Sequence, residues 1–194
     1  MTDWPILSTI TFLPLLGAAF ILLIRGDEAT IARNSRHVAL WTTVVTFALS
    51  LLLIFNFDTT TAAFQFEEYT PWLPEYGIGY HLGVDGISVF FLMLTTFLVP
   101  ICIISCWEAV KTRVREYMLA FLILETLMVG VFSSLDMLMF YIFFEGQLIP
   151  MFLIIGIWGG KNRIYASFKF FLYTFLGSVL MLVGTKPYTT EVPR

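Results

Sequence analysis

Long apolar runs separated by shorter polar segments organise this chain. Each run holds 17 to 22 residues, the length that an α-helix needs to cross a hydrocarbon core of about 30 Å at about 1.5 Å per residue. Strands of a membrane barrel would instead alternate polar and apolar residues over about ten positions. The pattern predicts an all-α fold, a polytopic transmembrane helical bundle with about six spanning helices. The predicted spans are Ile6–Ile24, Val38–Phe57, Ile87–Trp107, Tyr117–Leu135, Met137–Trp158 and Phe168–Gly184.

The composition agrees with a membrane protein. Of 194 residues, 58% are hydrophobic and 13% charged, and the mean hydropathy of +0.85 exceeds that of a soluble domain. The first run, Ile6–Ile24, has no basic region before it and is long enough to span, so we expect no cleavable signal peptide. Cys102 and Cys106 form neither a CxxC motif nor a disulfide framework and are expected to pack as small apolar side chains.

Basic residues occur in alternate connections, which predicts the orientation of the chain. The connections after the second and fourth spans, 58–86 and 135–136, contain no Lys or Arg. By the positive-inside rule the N-terminus is outside, and the other three connections face the cytoplasm or the matrix. Those three carry Arg25, Arg33 and Arg36, then Lys111, Arg113 and Arg115, then Lys161, Arg163 and Lys169.

The long outer loop, residues 58–86, ends with a candidate helix cap. Asp85 precedes the third span, so its carboxylate is expected to accept from the free amides of the first turn. His81 is expected to pair with Asp85, and a cap and loop anchor is favoured over a proton role for this pair. Pro14 and Pro100 lie inside spans and predict kinks there.

Glu145 is the one charged side chain inside the fifth span. It lies nine residues after Asp136 and thirteen before Trp158, so it cannot easily reach either surface. An acid held at that depth is costly and indicates a site that takes up and releases protons. Pro150 has no N–H, so the carbonyl of Gly146 lacks its helical donor and needs a substitute such as water. The alternative is a Glu145 that only bridges two helices.

Two further residues are candidates for the same chemistry. Glu125 lies in the fourth span, which must pack antiparallel against the fifth because almost no loop joins them. Counting helical rises places the two acids about 8 Å apart in depth, within reach of one or two waters. Glu125 is therefore a candidate relay to Glu145, with a structural role as the alternative. Lys169 lies at the beginning of the sixth span. Two roles are possible for it there, admitting protons or anchoring the helix by snorkelling to the interface.

Cofactor chemistry has no sequence signal in this chain. His37 and His81 lie outside the spans, so paired axial haem ligation is excluded, and no cysteine cluster could hold an iron–sulfur centre. No nucleotide-binding glycine motif is present. We expect no redox centre, cofactor or metal in the chain itself, and no nucleic-acid partner.

Four stretches resemble chain M of the proton-pumping NADH:quinone oxidoreductases, respiratory complex I, whose mitochondrial counterpart is subunit 4. The stretches are residues 81–88 (HLGVDGIS), 140–151 (FYIFFEGQLIPM), 157–160 (IWGG) and 169–174 (KFFLYT). The resemblance covers Met1 to about Gly184. It implies the antiporter-like fold, with inverted repeats that each hold a half-channel.

In this family Glu145 matches an essential glutamate that works with a lysine on a later, broken helix. The sequence ends before that helix, so we expect the lysine and the second repeat to lie outside this chain. The resemblance divides the chain into a three-helix segment with the outer loop (1–116), the start of the first antiporter-like repeat (117–184) and a disordered tail (185–194). It implies NADH, FMN, iron–sulfur clusters and quinone in other subunits of the complex.

The implied partners are other membrane-arm subunits, including antiporter-like ones, and the lipid of a bacterial cytoplasmic or mitochondrial inner membrane. The predicted function is proton translocation, coupled to NADH oxidation and quinone reduction in those other subunits. Two alternatives stay open. One is a subunit of a multi-subunit cation/proton antiporter, and the other is a structural piece of the membrane arm without a proton path.

Overall fold

The computed structural model describes residues 4–73 and 78–189. In this part of the chain, six helical stretches are long enough and apolar enough to cross a membrane. The fold is mostly helical, which confirms the predicted class. The described residues form seven helices and two strands, joined by turns and loops. They are α1 (Ile6–Leu23), α2 (Glu28–Phe55), β1 (Gln65–Leu73), β2 (Ile78–Val84), α3 (Ser88–Ser105), α4 (Val114–Ser133), α5 (Met137–Gly146), α6 (Leu148–Trp158) and α7 (Arg163–Thr189).

The predicted fifth span is one membrane crossing made of two helices. α5 ends at Gly146 and α6 begins at Leu148, with Gln147 between them at φ −65° and ψ −20°, which are helical values. The chain therefore keeps its direction while its hydrogen-bond ladder is interrupted. The cause is Pro150, which lacks the N–H that the Gly146 carbonyl would otherwise accept from.

Three helices extend beyond the predicted spans, and α4 does so least, beginning at Val114 instead of Tyr117. α2 begins at Glu28, ten residues before Val38, because Asp27 caps it by accepting from the amide of Thr30 at 3.2 Å. α7 begins at Arg163 and continues to Thr189, past the predicted limit at Gly184. Of the tail predicted to be disordered, residues 190–194 lie outside the described residues.

The outer loop contains a β-hairpin that the sequence analysis did not predict. β1 and β2 pair antiparallel, with Tyr69 opposite His81 and Thr70 opposite Tyr80. The Nε2 atom of His81 lies 3.1 Å from a carboxylate oxygen of Glu67 on β1. The predicted pairing of His81 with Asp85 is therefore wrong, because strand pairing places the imidazole beside β1. Residues 74–77 of this loop lie outside the described part.

The predicted cap of the third span is confirmed. The Oδ1 atom of Asp85 accepts from the amides of Ser88 at 2.6 Å and Ile87 at 3.0 Å. The hydrogen bond from the Ser88 amide holds the pKa of Asp85 below its usual value. The cap fixes the point at which the chain leaves the hairpin and begins α3.

Glu68 of β1 fastens the hairpin to the beginning of α1. Its carboxylate accepts from the amide of Leu7 at 2.7 Å, from the amide of Ser8 and from the Ser8 hydroxyl. The Ser8 hydroxyl also lies 2.6 Å from the hydroxyl of Tyr80. Burial raises the pKa of Tyr80. A carboxylate at this position satisfies free amides of the first helical turn and complements the helix dipole.

The connection between α4 and α5 is held at the same end of the bundle. The amide of Leu135 donates to the carbonyl of His81 at 2.9 Å, and Ser134 forms an isolated bridge with Leu82. We call this end, where the β-hairpin lies, the hairpin end. The opposite end, where the Lys- and Arg-bearing connections lie, is the basic end. There the Arg36 guanidinium donates to the carbonyl of Val110 at 2.8 Å.

Two hydrophobic clusters are stacked along the bundle. The basic-end cluster consists of Ala18, Ile21, Ala39, Val99, Ile103, Val110, Val114, Tyr117, Met118 and Leu122. The hairpin-end cluster consists of Leu7, Ile10, Leu53, Leu82, Val84, Val89, Leu92 and Val129. Both clusters draw residues from α1, α2, α3 and α4, so these four helices form the packed core against which α5 and α6 lie.

Candidate functional site

Glu145 lies in the last turn of α5, directly before the helix interruption. The side chain is half-buried, and both carboxylate oxygens are shielded from solvent without a hydrogen-bond partner among the described residues. Carboxylate oxygens accept hydrogen bonds and are costly to bury unsatisfied. The adjacent Gly146 carbonyl loses its usual helical donor, because Pro150 has no N–H to offer it. Glu145 therefore lies where a proton, or a water that donates one, has several acceptors.

Close packing of α4 on α5 fixes the depth of Glu145. A Cβ atom at Gly130 would lie 2.5 Å from the Phe143 ring, and one at Gly146 would lie 3.1 Å from Leu127. Counting along the antiparallel helices from these two contacts places residue 128 opposite Glu145, three residues from Glu125. The two acids are thus separated by roughly 4–5 Å along the helix axes, less than the 8 Å expected from the sequence.

Glu125 is fully buried, and neither of its carboxylate oxygens has a hydrogen-bond partner among residues 4–73 and 78–189. At about 100° per residue, it lies on a different side of α4 from Leu127 and Gly130, the residues that contact α5. The structure therefore brings Glu125 and Glu145 to similar depths without joining them by a hydrogen bond.

Lys169 is exposed near the beginning of α7. Its Nζ atom lies 5.7 Å from the ring centroid of Tyr165 and 6.0 Å from that of Tyr173, one helical turn to either side. Cation–π attraction over two rings holds the ammonium group at this face of α7. Within the part of the chain that the structure describes, no ion pair joins Lys169 to Glu125 or Glu145.

A set of polar side chains that was not predicted from the sequence is buried between the helices. Thr11, Thr43, Thr46 and Thr96 are each 0% exposed. Their burial could have been predicted from the sequence, because each threonine is spaced at helical intervals from apolar residues of the same buried face. Their hydroxyls escape hydropathy analysis because threonine is nearly neutral on such scales. For metals, the described residues include no cluster of three or more His, Cys, Asp or Glu that could hold an ion.

Two family models match the chain. Residues 28–134 match the model described as NADH-ubiquinone oxidoreductase chain 4, amino terminus. Residues 134–187 match the model described as NADH:quinone oxidoreductase/Mrp antiporter, TM. The first match covers more than half of the chain, and Glu125 lies within it, whereas Glu145 and Lys169 lie within the second.

Individual proteins give the same result. The chain is 62% identical over 180 residues to NADH-quinone oxidoreductase subunit M of Rhodobacter capsulatus, covering 92% of this chain and 35% of that protein. It is 48% identical over 179 residues to NADH-ubiquinone oxidoreductase chain 4 of Marchantia polymorpha, covering 92% and 36%. The chain thus spans about a third of the length of these relatives.

A solved structure supports the helical arrangement. The chain superposes with a TM-score of 0.74 on a chain of the respiratory complex I from Thermus thermophilus with bound NADH. The sequences are 29% identical, and the match covers 91% of this chain and 34% of the other. The order and packing of the spanning helices are therefore shared with a membrane subunit of known architecture.

Proposed function

The chain belongs to the chain 4 family of NADH:quinone oxidoreductases, also called subunit M, and we propose that it acts as a proton-translocating membrane-arm subunit of respiratory complex I. In that role it carries part of a half-channel, and residues 117–184 begin an antiporter-like repeat. Other subunits oxidise NADH and reduce quinone with FMN and iron–sulfur clusters. The complex lies in a bacterial cytoplasmic membrane or in the mitochondrial inner membrane.

One observation carries this proposal, the unpartnered carboxylate of Glu145 beside an interrupted helix. A carboxylic acid that has no fixed donor can lose its proton to water on one side and regain it from the other. The carbonyl of Gly146, which loses its usual helical donor to Pro150, gives a water molecule a second acceptor beside the acid. Glu145 is therefore the group that we assign to carry the proton.

Glu125 and Lys169 have secondary roles in the proposal. Glu125 lies at a similar depth to Glu145, so a relay between them would run through water around α4 rather than through a direct bond. Lys169 lies on the span that follows, near the basic end, where two tyrosine rings hold its ammonium group and make it the candidate for admitting protons. The relay role of Glu125 and the proton-admitting role of Lys169 stay predictions.

The match of residues 28–134 to the chain 4 model favours this function over that of a cation/proton antiporter subunit, the alternative from the sequence. Purification of a tagged form of the chain from its native membrane distinguishes the two. Flavin and iron–sulfur subunits are expected in the same particle. A particle that lacks them and exchanges Na⁺ for protons would support the antiporter instead.

Substitution of Glu145 tests the proton-carrying role in the assembled complex. Glu145→Ala is expected to lower proton pumping coupled to NADH oxidation about tenfold or more, because proton-transfer groups contribute at least that much. Glu145→Asp should retain more activity, since it keeps the acid and shortens it by one methylene. Exposed Glu116, at the basic end of α4, gives the matched control Glu116→Gln. Normal pumping by an assembled Glu145→Ala complex would contradict the proposal.

A further inference from the structure

The face of α4 that carries Glu125 is directed at α1, α2 and α3. Glu125 follows Met118 by seven residues and Leu122 by three, and it precedes Val129 by four. This spacing places all four side chains on one face of the helix. Met118 and Leu122 belong to the basic-end cluster and Val129 to the hairpin-end cluster. Glu125 therefore lies between the two hydrophobic clusters.

The neighbouring helices place hydroxyl groups at the same level. On α1, Thr11 lies between Leu7 of the hairpin-end cluster and Ala18 of the basic-end cluster, at helical spacing from both. On α3, Thr96 lies between Leu92 and Val99 in the same manner. α2 contributes three fully buried hydroxyls between Ala39 and Leu53. We call this set the central polar layer, which comprises Thr11, Thr43, Thr46, Ser50, Thr96 and Glu125.

Threonine hydroxyls of the central polar layer donate to their own helices. Each lies within hydrogen-bond distance of a backbone carbonyl three or four residues earlier, and donating to it leaves the oxygen lone pairs as acceptors. At Thr96 the hydroxyl also lies 2.8 Å from that of Ser50, so one of these two hydroxyls donates to the other. The bonds are Thr11 to Leu7 at 2.8 Å, Thr43 to Leu40 at 3.0 Å, Thr46 to Thr42 at 3.0 Å and Thr96 to Met93 at 3.0 Å.

Two buried prolines add backbone acceptors beside this layer. Pro14 of α1 and Pro100 of α3 lie on the buried faces of their helices. Because proline has no N–H, the carbonyls of Ile10 and Thr96 lose their usual helical donors. The layer is therefore rich in hydrogen-bond acceptors and poor in free donors.

Glu125 makes this imbalance larger. Its two oxygens are buried without a hydrogen-bond partner among the described residues. The neighbouring Thr126 hydroxyl also has none there, and it carries one hydrogen to donate beside its acceptor lone pairs. Acceptors left unsatisfied in an apolar interior are costly, and an ionised carboxylate costs most. A neutral ligand that donates hydrogen bonds would satisfy these acceptors without placing a second charge in the apolar interior. Water is such a ligand, since a buried molecule typically makes about three hydrogen bonds.

We propose that the central polar layer binds buried water and that Glu125 exchanges its proton with that water. This site lies on a different side of α4 from the α5 contact and is distinct from the Glu145 site. It deepens the relay role proposed for Glu125 by naming the ligand of that residue, and it is independent of Glu145, because water would occupy the layer whether or not Glu145 carries protons. The site gives the α1–α4 core its own proton-holding group at the middle of the membrane.

Infrared difference spectroscopy of the assembled complex tests the proposal. The spectrum of the parent complex minus that of Glu125→Gln is expected to contain a protonated-carboxyl C=O band that shifts to lower wavenumber in D₂O. Thr46→Val and Thr96→Val should move that band to higher wavenumber, because the carboxyl group loses water held by the hydroxyls. The band should be the same in KCl and in NaCl.

Three results would overturn the proposal. The first is the absence of a protonated-carboxyl band, and the second is a band that does not shift in D₂O. The third is loss of the band in NaCl, which would indicate Na⁺ bound by an ionised carboxylate. Glu145→Gln is the matched control, because the Glu125 band should survive it. A band that survives while pumping is lost separates this site from the Glu145 proposal.

A map of the unmodified complex tests the water directly, even if a variant fails to assemble. At a resolution that shows ordered water, density is expected within hydrogen-bond distance of the Glu125 carboxylate and of a threonine of the central polar layer. A layer closed by direct hydrogen bonds between Glu125 and the threonines, with no density between them, would contradict the proposal.

Discussion

Gly130 allows α4 and α5 to approach closely enough to set the position of Glu145. A Cβ atom there would lie 2.5, 2.6 and 2.7 Å from three atoms of the Phe143 ring. Ordinary carbon–carbon contact begins at about 3.5 Å, so Gly130→Ala requires a relative displacement of about 1 Å. Overpacking of this kind typically costs about 1–3 kcal/mol. Glu145 lies two residues after Phe143, so the same displacement moves the acid.

The expected result is lower thermal stability of the complex together with weaker coupling of NADH oxidation to proton pumping. Gly177→Ala in α7 is the matched control, because nothing lies within 4 Å of a Cβ atom at Gly177. Both changes gain the helix propensity of alanine, about 1 kcal/mol, so the difference between the variants isolates the steric cost. Phe143→Leu combined with Gly130→Ala should recover part of the stability. Equal unfolding temperatures and coupling for the two single variants would refute the reasoning.

Three further predictions follow from other parts of the fold. A tag in the β-hairpin should be labelled from outside the membrane, and tags in the connections before α4 and before α7 only from inside; the reverse pattern would overturn the orientation. Glu125→Gln should slow pumping without loss of assembly if Glu125 is a relay, and Val129→Glu in that background should restore it, whereas full pumping by Glu125→Gln alone would remove the residue from the path. Glu68→Gln should weaken the attachment of the hairpin to Ser8 and lower the unfolding temperature of the assembled complex, because a charge-assisted hydrogen bond contributes about 1.5–3 kcal/mol; an unchanged unfolding temperature would contradict this.

The spanning helices could be predicted because hydropathy over about 20 residues reflects a single dominant cost, that of placing polar backbone and side chains in lipid. The beginning of α2 could not be found in this way. Arg33 and Arg36 lie within that helix but outside the apolar run, so hydropathy excludes them. Asp27 and the helix formers after it were the available signal, because a capping residue marks a helix start independently of the membrane.

The β-hairpin was missed because its sequence contradicts strand preferences. Glu67, Glu68 and Pro71 are poor strand residues, and the pairing contains two irregularities, between Gln65 and Glu68 and between Pro71 and Leu73. Tertiary contacts stabilise the hairpin instead of strand propensity, above all the hydrogen bonds that Glu68 accepts from the first turn of α1. Sequence patterns carry little information about such contacts, since the partners lie about sixty residues apart.

Glu145 could be chosen from the sequence as a candidate because it is an isolated charge in an apolar run that also contains Pro150. Its separation from Glu125 could not, because counting rises from the ends of two helices accumulates error that a single contact removes. The contact between Gly130 and Phe143 supplies that register. The direction of Glu125 was available from its spacing to Leu122 and Val129, which places it on the core face of α4.

The short connection between α4 and α5 has a consequence for how the chain enters the membrane. Only three residues, Ser134, Leu135 and Asp136, separate the two helices. A turn of that length keeps the adjoining ends of the two helices at one membrane surface. We therefore expect the translocon to insert the two helices together, as one helical hairpin. Each acid at mid-depth opposes insertion by about 3 kcal/mol, which about six leucine-like residues at about 0.5 kcal/mol each offset. The aliphatic and aromatic side chains around Glu125 and Glu145 are therefore also what carries these acids into the bilayer during synthesis.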